Sequence, residues 1–123
     1  MAKSGKQGRI SQLILDGADH LGMVWNQALA YLGQWAWMAN PPNGKNGMHF
    51  INITCMAEAQ ASLSELTHYG PTNEKALPLN SDKVRPYLPS YPDNKKLIIQ
   101  EDAEFWATAA PKIDARWQAY ISG

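Results

Sequence analysis

The sequence predicts a helix-rich α/β fold with a small sheet. Three observations carry this reading: an apolar stripe at helical spacing through residues 48–66, two short apolar runs at 21–25 and 33–38, and five prolines within 71–92. Met48, Ile51, Cys55, Ala59, Leu63 and Leu66 recur at three- and four-residue steps, which lines one face of a helix. The short runs suit buried strands. Two strands alone make a small sheet, too narrow to separate two full helix layers.

In chain order, Ile10, Leu13 and Ile14 share a helical face and Asp16-Gly17 supplies a stop, so residues 9–16 read as a short helix. Leu21-Gly-Met-Val-Trp25 reads as a buried strand ended by Asn26. Gly33-Gln-Trp-Ala-Trp-Met38 alternates large and small residues and reads as a second strand, closed by Asn40-Pro-Pro-Asn-Gly44. One long helix is then expected over 46–68, with Asn43 or Asn46 at its start and Gly70-Pro71 at its end. The prolines keep 71–92 extended or turned, with a short helix at most over 74–77. A last helix starts near Asp102. Trp106, Ala109 or Ala110, Ile113, Trp117 and Tyr120 mark its expected buried face, and Pro111 is expected to kink or divide it.

Composition narrows the function classes. The 123 residues carry 11 basic and 11 acidic side chains for a net charge of zero, which argues against a dedicated nucleic-acid binder. No apolar run reaches the roughly 18 residues of a membrane span. The first nine residues hold Lys3, Lys6 and Arg9 but lead into no apolar signal-peptide core, so 1–9 reads as a flexible end and 10–123 as the folded part. Cys55 is the one cysteine, and its place on the apolar stripe suits an inert core thiol. His20, His49 and His68 lack zinc-type spacing, and no metal or cofactor is expected. No Gly-x-Ser-x-Gly elbow, phosphate loop or dinucleotide fingerprint occurs, and Asp16 and Asp19 are explained by a helix end and a turn. An enzyme is not expected.

Two segments ask for more than packing. Gly22-Met-Val-Trp-Asn26 places an indole and an amide at the carboxyl end of an expected strand, where open α/β sheets bind ligands. Tyr69-Gly-Pro-Thr-Asn73 follows a helix end with a rigid turn carrying a phenol, a hydroxyl and an amide. Each suits either a packing role or a ligand wall.

Taken together, these segments resemble the carboxyl-terminal part of a bacterial extracellular solute-binding protein of ABC transporters, of the spermidine/putrescine-binding type. The likeness runs through Gln12-Leu-Ile-Leu-Asp-Gly17, Leu21-Gly-Met-Val-Trp-Asn26, Trp35-Ala-Trp-Met38, Asn40-Pro-Pro-Asn43 and Met48-His-Phe-Ile51. It continues through Tyr69-Gly-Pro-Thr-Asn-Glu-Lys-Ala76, Phe105-Trp106 and Arg116-Trp117, and spans about residues 10–121. The resemblance implies a partial periplasmic-binding-protein-like type II fold, here without its amino-terminal lobe or export signal. It also implies a non-catalytic protein of the periplasm that binds a small solute of polyamine kind and delivers it to an ABC permease. Trp25, Asn26, Trp35 and Tyr69 would then contact the solute. A chain carrying half a cleft is expected to bind small solutes weakly, because enclosure supplies much of the affinity. The rival reading is a small interaction module that self-associates through exposed aromatic surface.

Overall fold

The computed structural model describes residues 6–40 and 42–123. It is helix-rich with one two-stranded sheet, as the sequence predicts: helix α1 (Gln7–Leu15), strand β1 (Leu29–Ala30), helices α2 (Gly44–Thr54), α3 (Ala57–Thr67) and α4 (Pro92–Lys95), strand β2 (Ile99–Gln100) and helix α5 (Ala103–Ile121). Two 3₁₀ turns, Leu77–Leu79 and Arg85–Tyr87, interrupt the proline-rich tract. Pro78 and Pro86 sit in their second positions, still within the first turn, where a missing N–H costs no internal bond. The short helix expected over 74–77 therefore starts at Leu77 instead.

The sheet lies elsewhere than expected. Neither 21–25 nor 33–38 is a strand; β1 and β2 pair in parallel, Leu29 opposite Ile99 and Ala30 opposite Gln100. A strand exists only where a ladder partner satisfies its backbone, and alternating side chains cannot supply one. Segment 33–38 is instead held by side chains on α2. Trp35 meets Phe50 edge-to-face with ring centroids 5.0 Å apart. The Trp37 ring lies so close over Gly47 that any Cβ there would collide with it.

The helix expected over 46–68 is two helices. Met56 between them is extended (φ −68°, ψ 150°). The Asn73 side-chain amide donates to the Cys55 carbonyl at 2.9 Å, satisfying a backbone group at the end of α2. Asn43 stands at the N-cap of α2 without a side-chain capping bond. The apolar stripe also fails to face a core: Met48, Leu63 and Leu66 are exposed, and so is Cys55, which is no core thiol. The buried face of α3 is made of small and polar residues, Ala61 and Ser64, continued by His68 beyond its end. Its partners are α1, which buries Gly8 and Ser11, and the tract from 71 to 97. That tract supplies the fully buried Ala76 and Leu88 together with Val84.

Polar side chains hold this unit together. The Asn80 amide donates to the Ala61 carbonyl (3.0 Å) and to Glu65 Oε1 (3.2 Å). Glu65 also accepts from the Ser81 backbone N–H and hydroxyl. Asn94 donates to the carbonyls of Pro86 (2.8 Å) and Leu88 (2.9 Å). Desolvation opposes ionisation of Glu65, but the bonds from Ser81 and Asn80 and the neighbouring His68 outweigh it and hold its carboxyl below the usual range.

Helix α5 starts as expected, with the Asp102 carboxylate accepting from the Phe105 N–H at 3.0 Å. It runs undivided through Pro111. Its expected inner face, however, is not buried: Trp106, Ile113, Trp117 and Tyr120 are all exposed. Among the described residues no other element packs extensively against it.

Candidate functional site

The Tyr69 turn is built by the end of α3. His68 adopts a left-handed conformation (φ 58°), which stops the helix and turns the chain. Its ring is buried and lies 2.8 Å from the Ser11 hydroxyl. That hydroxyl also lies 3.1 Å from the Gly8 carbonyl, so it bridges α1 and the end of α3. The pair resembles a nucleophile and base but is sealed from solvent, so it joins α1 to α3 and meets no solute. Tyr69 leans on α1 at Gly8, where a Cβ would strike the Thr67 carbonyl and crowd the phenol. The outer part of the Tyr69 ring remains exposed. Thr72 and Asn73, the other polar groups of this turn, are committed to structure: Gln60 Oε1 accepts from both their backbone N–H groups, at 2.9 and 2.8 Å.

Trp25 is half-buried, and Asn26 is exposed in the turn that leads into β1. Both precede the strand, so Trp25 does not stand at a strand's carboxyl end as the sequence predicts. Gln27 takes a left-handed φ of 62°, and its N–H donates to the Leu97 carbonyl at 2.9 Å. This bond draws the turn towards β2. Trp35 is exposed beside Phe50. Trp25–Asn26, Trp35 and Tyr69 thus sit on three separate supports: the approach to β1, the face of α2, and the α1–α3 junction.

Two concavities are lined by other residues. One, open and about 460 Å³, lies between Trp37 and the α2 side chains Lys45, Met48, His49 and Asn52. The other, about 240 Å³ and more enclosed, is lined by Tyr31, Leu32, Gln34, Gln100, Glu101 and Ala103. This second crevice begins where both strands end, since Tyr31 directly follows β1 and Glu101 directly follows β2. It is the position that open parallel sheets offer to ligands. Glu101 brings a carboxylate that can hold an ammonium group, Gln34 and Gln100 bring amides, and Tyr31 brings an aromatic face. The strand-end rule is legible in the sequence, but it points here only once the strands are known to be 29–30 and 99–100. Among the described residues no group of three His, Cys, Asp or Glu side chains could hold a metal ion, and no helix is long and apolar enough to cross a membrane.

The chain has part of the α/β fold of a periplasmic binding protein. It superposes with a TM-score of 0.69 on the periplasmic binding protein AgtB of A. tumefaciens, solved in complex with agropinic acid, at 33% identity over 95% of this chain and 37% of that one. It is also 30% identical over 115 residues to the gamma-aminobutyric acid-binding protein of Pseudomonas aeruginosa, a match covering 94% of this chain and 32% of the relative. No family profile matches. Both relatives are binding proteins for small molecules, and the chain spans about a third of the length of each.

Proposed function

We propose that the chain is the carboxyl-terminal portion of a non-catalytic solute-binding component of an ABC import system, working in the periplasm beside a permease. The observation that carries this reading is the crevice at the carboxyl ends of β1 and β2, in a chain nearly all of which superposes on a ligand-bound binding protein. Its solute is a small amine that also carries a carboxylate. The amine would sit at Glu101 and its methylenes against Tyr31, while Trp25, Asn26, Trp35 and Tyr69 stand outside this crevice and would meet a solute only as walls of a wider cleft.

A purely cationic polyamine is the less favoured solute. Each of its ammonium groups asks for a carboxylate near an aromatic wall. The aromatic segment 33–40 has no acidic residue, and Glu101 is the lone acid of the crevice. The ligands named for the two relatives are both acids, and gamma-aminobutyric acid is also an amine.

Tryptophan fluorescence tests this reading, with gamma-aminobutyric acid, putrescine and spermidine titrated into the chain. A saturable change with gamma-aminobutyric acid is expected only in the millimolar range, since a partial cleft encloses little of a ligand. Glu101→Gln should weaken it about tenfold, the order expected for losing a charge-assisted bond. A stronger response to spermidine would return the solute to the polyamine class. No response to any of the three would overturn the site.

A further inference from the structure

The open concavity of about 460 Å³ on α2 shares no lining residue with the strand-end crevice. One of its walls is seated on glycine. The outer edge of the Trp37 indole occupies the space that a Cβ on Gly47 would fill, so the ring rests directly on the helix. The wall is therefore in place before any ligand arrives, which lowers the ordering cost of binding. At 41% exposure Trp37 still keeps a free aromatic surface. Beside it Lys45, Met48, His49 and Asn52 share one face of α2, since their spacing follows the helical repeat.

The charge of this face is one-sided. Lys45 brings a full positive charge, and the His49 ring and the Asn52 amide bring further N–H donors. No Asp or Glu occurs between Asp19 and Glu58, and Lys45 has no carboxylate partner among the described residues. Lys45 and His49 stand one turn apart, about 6 Å along the axis, a spacing that two long side chains can close around one acid group. The Trp37 indole and the Met48 thioether both favour aromatic neighbours. The volume falls within the roughly 300–1,000 Å³ of small-molecule pockets. We propose that this concavity is a binding site for a small aromatic carboxylate, its ring against Trp37 and Met48 and its acid group between Lys45 and His49. It takes the opposite charge to the Glu101 crevice and does not depend on the solute reading.

Nuclear magnetic resonance on the 123-residue chain tests the site, with benzoate as probe and benzamide and inorganic sulfate as controls. Benzoate is expected to shift the Trp37 indole N–H and the backbone amides of α2 saturably, at about millimolar concentration because the site is open. Benzamide keeps the ring without the charge and should bind about tenfold more weakly, the order expected for losing a charge-assisted bond. Sulfate keeps the charge without the ring and should leave the indole signal in place. Lys45→Met, at an exposed position, should weaken benzoate about tenfold and leave the response to gamma-aminobutyric acid unchanged. Trp37→Leu removes the aromatic wall and should weaken benzoate more than it weakens sulfate. Benzamide or sulfate that matches benzoate, a Lys45→Met chain that binds benzoate like the parent, or shifts confined to the Tyr31–Gln100 crevice would overturn the proposal. A response to gamma-aminobutyric acid with none to benzoate would remove this site and leave the solute reading standing.

Discussion

The α1–α3 unit and helix α5 are both helical, yet only one of them has an inside. In the first, Ala61, Ser64, His68, Ala76 and Leu88 are buried, and the side-chain amides of Gln7, Gln60, Asn73, Asn80 and Asn94 are spent on backbone groups of neighbouring segments. In the second, none of 19 residues, two tryptophans among them, is buried. The difference teaches that apolar content does not decide burial. The packed unit is built from alanine, serine and asparagine, small or polar residues that let segments approach and satisfy each other's backbones. The aromatic side chains of α5 meet no such surface among the described residues.

Breaking the packed unit should have the largest effect. Leu88→Ala, at a fully buried position, is expected to cost about 2–5 kcal/mol in chemical denaturation. Leu66→Ala, at a residue 80% exposed, should stay within about 0.5 kcal/mol. Equal losses at the two sites would erase the contrast. Asn94→Ala comes next. It strands the Pro86 carbonyl, removes one of the two bonds to the Leu88 carbonyl and should cost about 1–3 kcal/mol, read from the same denaturation curves.

Acid sharpens the comparison more gently. The carboxyl of Glu65 titrates lower in the folded chain than its ordinary 4.5, so its contribution is fully present above that value and is lost as pH falls through the lowered one. Thermal melts of Glu65→Gln between pH 6 and 3 should therefore show a flatter acid limb than the parent, while spectroscopic signals from α5 stay unchanged. The side chain is only partly buried, which keeps this effect small. Smallest of all is Tyr120→Ser on α5, where the parent ring is 79% exposed; stability should move by less than about 0.5 kcal/mol. A larger loss would mean that α5 has a packing partner within the chain.

What the sequence determined by itself is local. The stop of α1 at Asp16-Gly17 is realised with Gly17 at φ 102°, and Asp102 caps α5 three residues from the N–H it accepts. Such signals act within one turn, so a single sequence displays them. The acidic and aromatic residues of the strand-end crevice stand in the same plain view, but nothing local marks them as neighbours. Only the tertiary structure decided that Leu29–Ala30 pairs with Ile99–Gln100, that Asn73 reaches back to Cys55 at the break between α2 and α3, and that α3 turns its serine and alanine inward while its leucines face out. The physical reason is common to all three. A ladder partner, a backbone carbonyl to be satisfied and a surface to be covered each come from elsewhere in the chain, and periodicity at one position carries no information about what arrives from another.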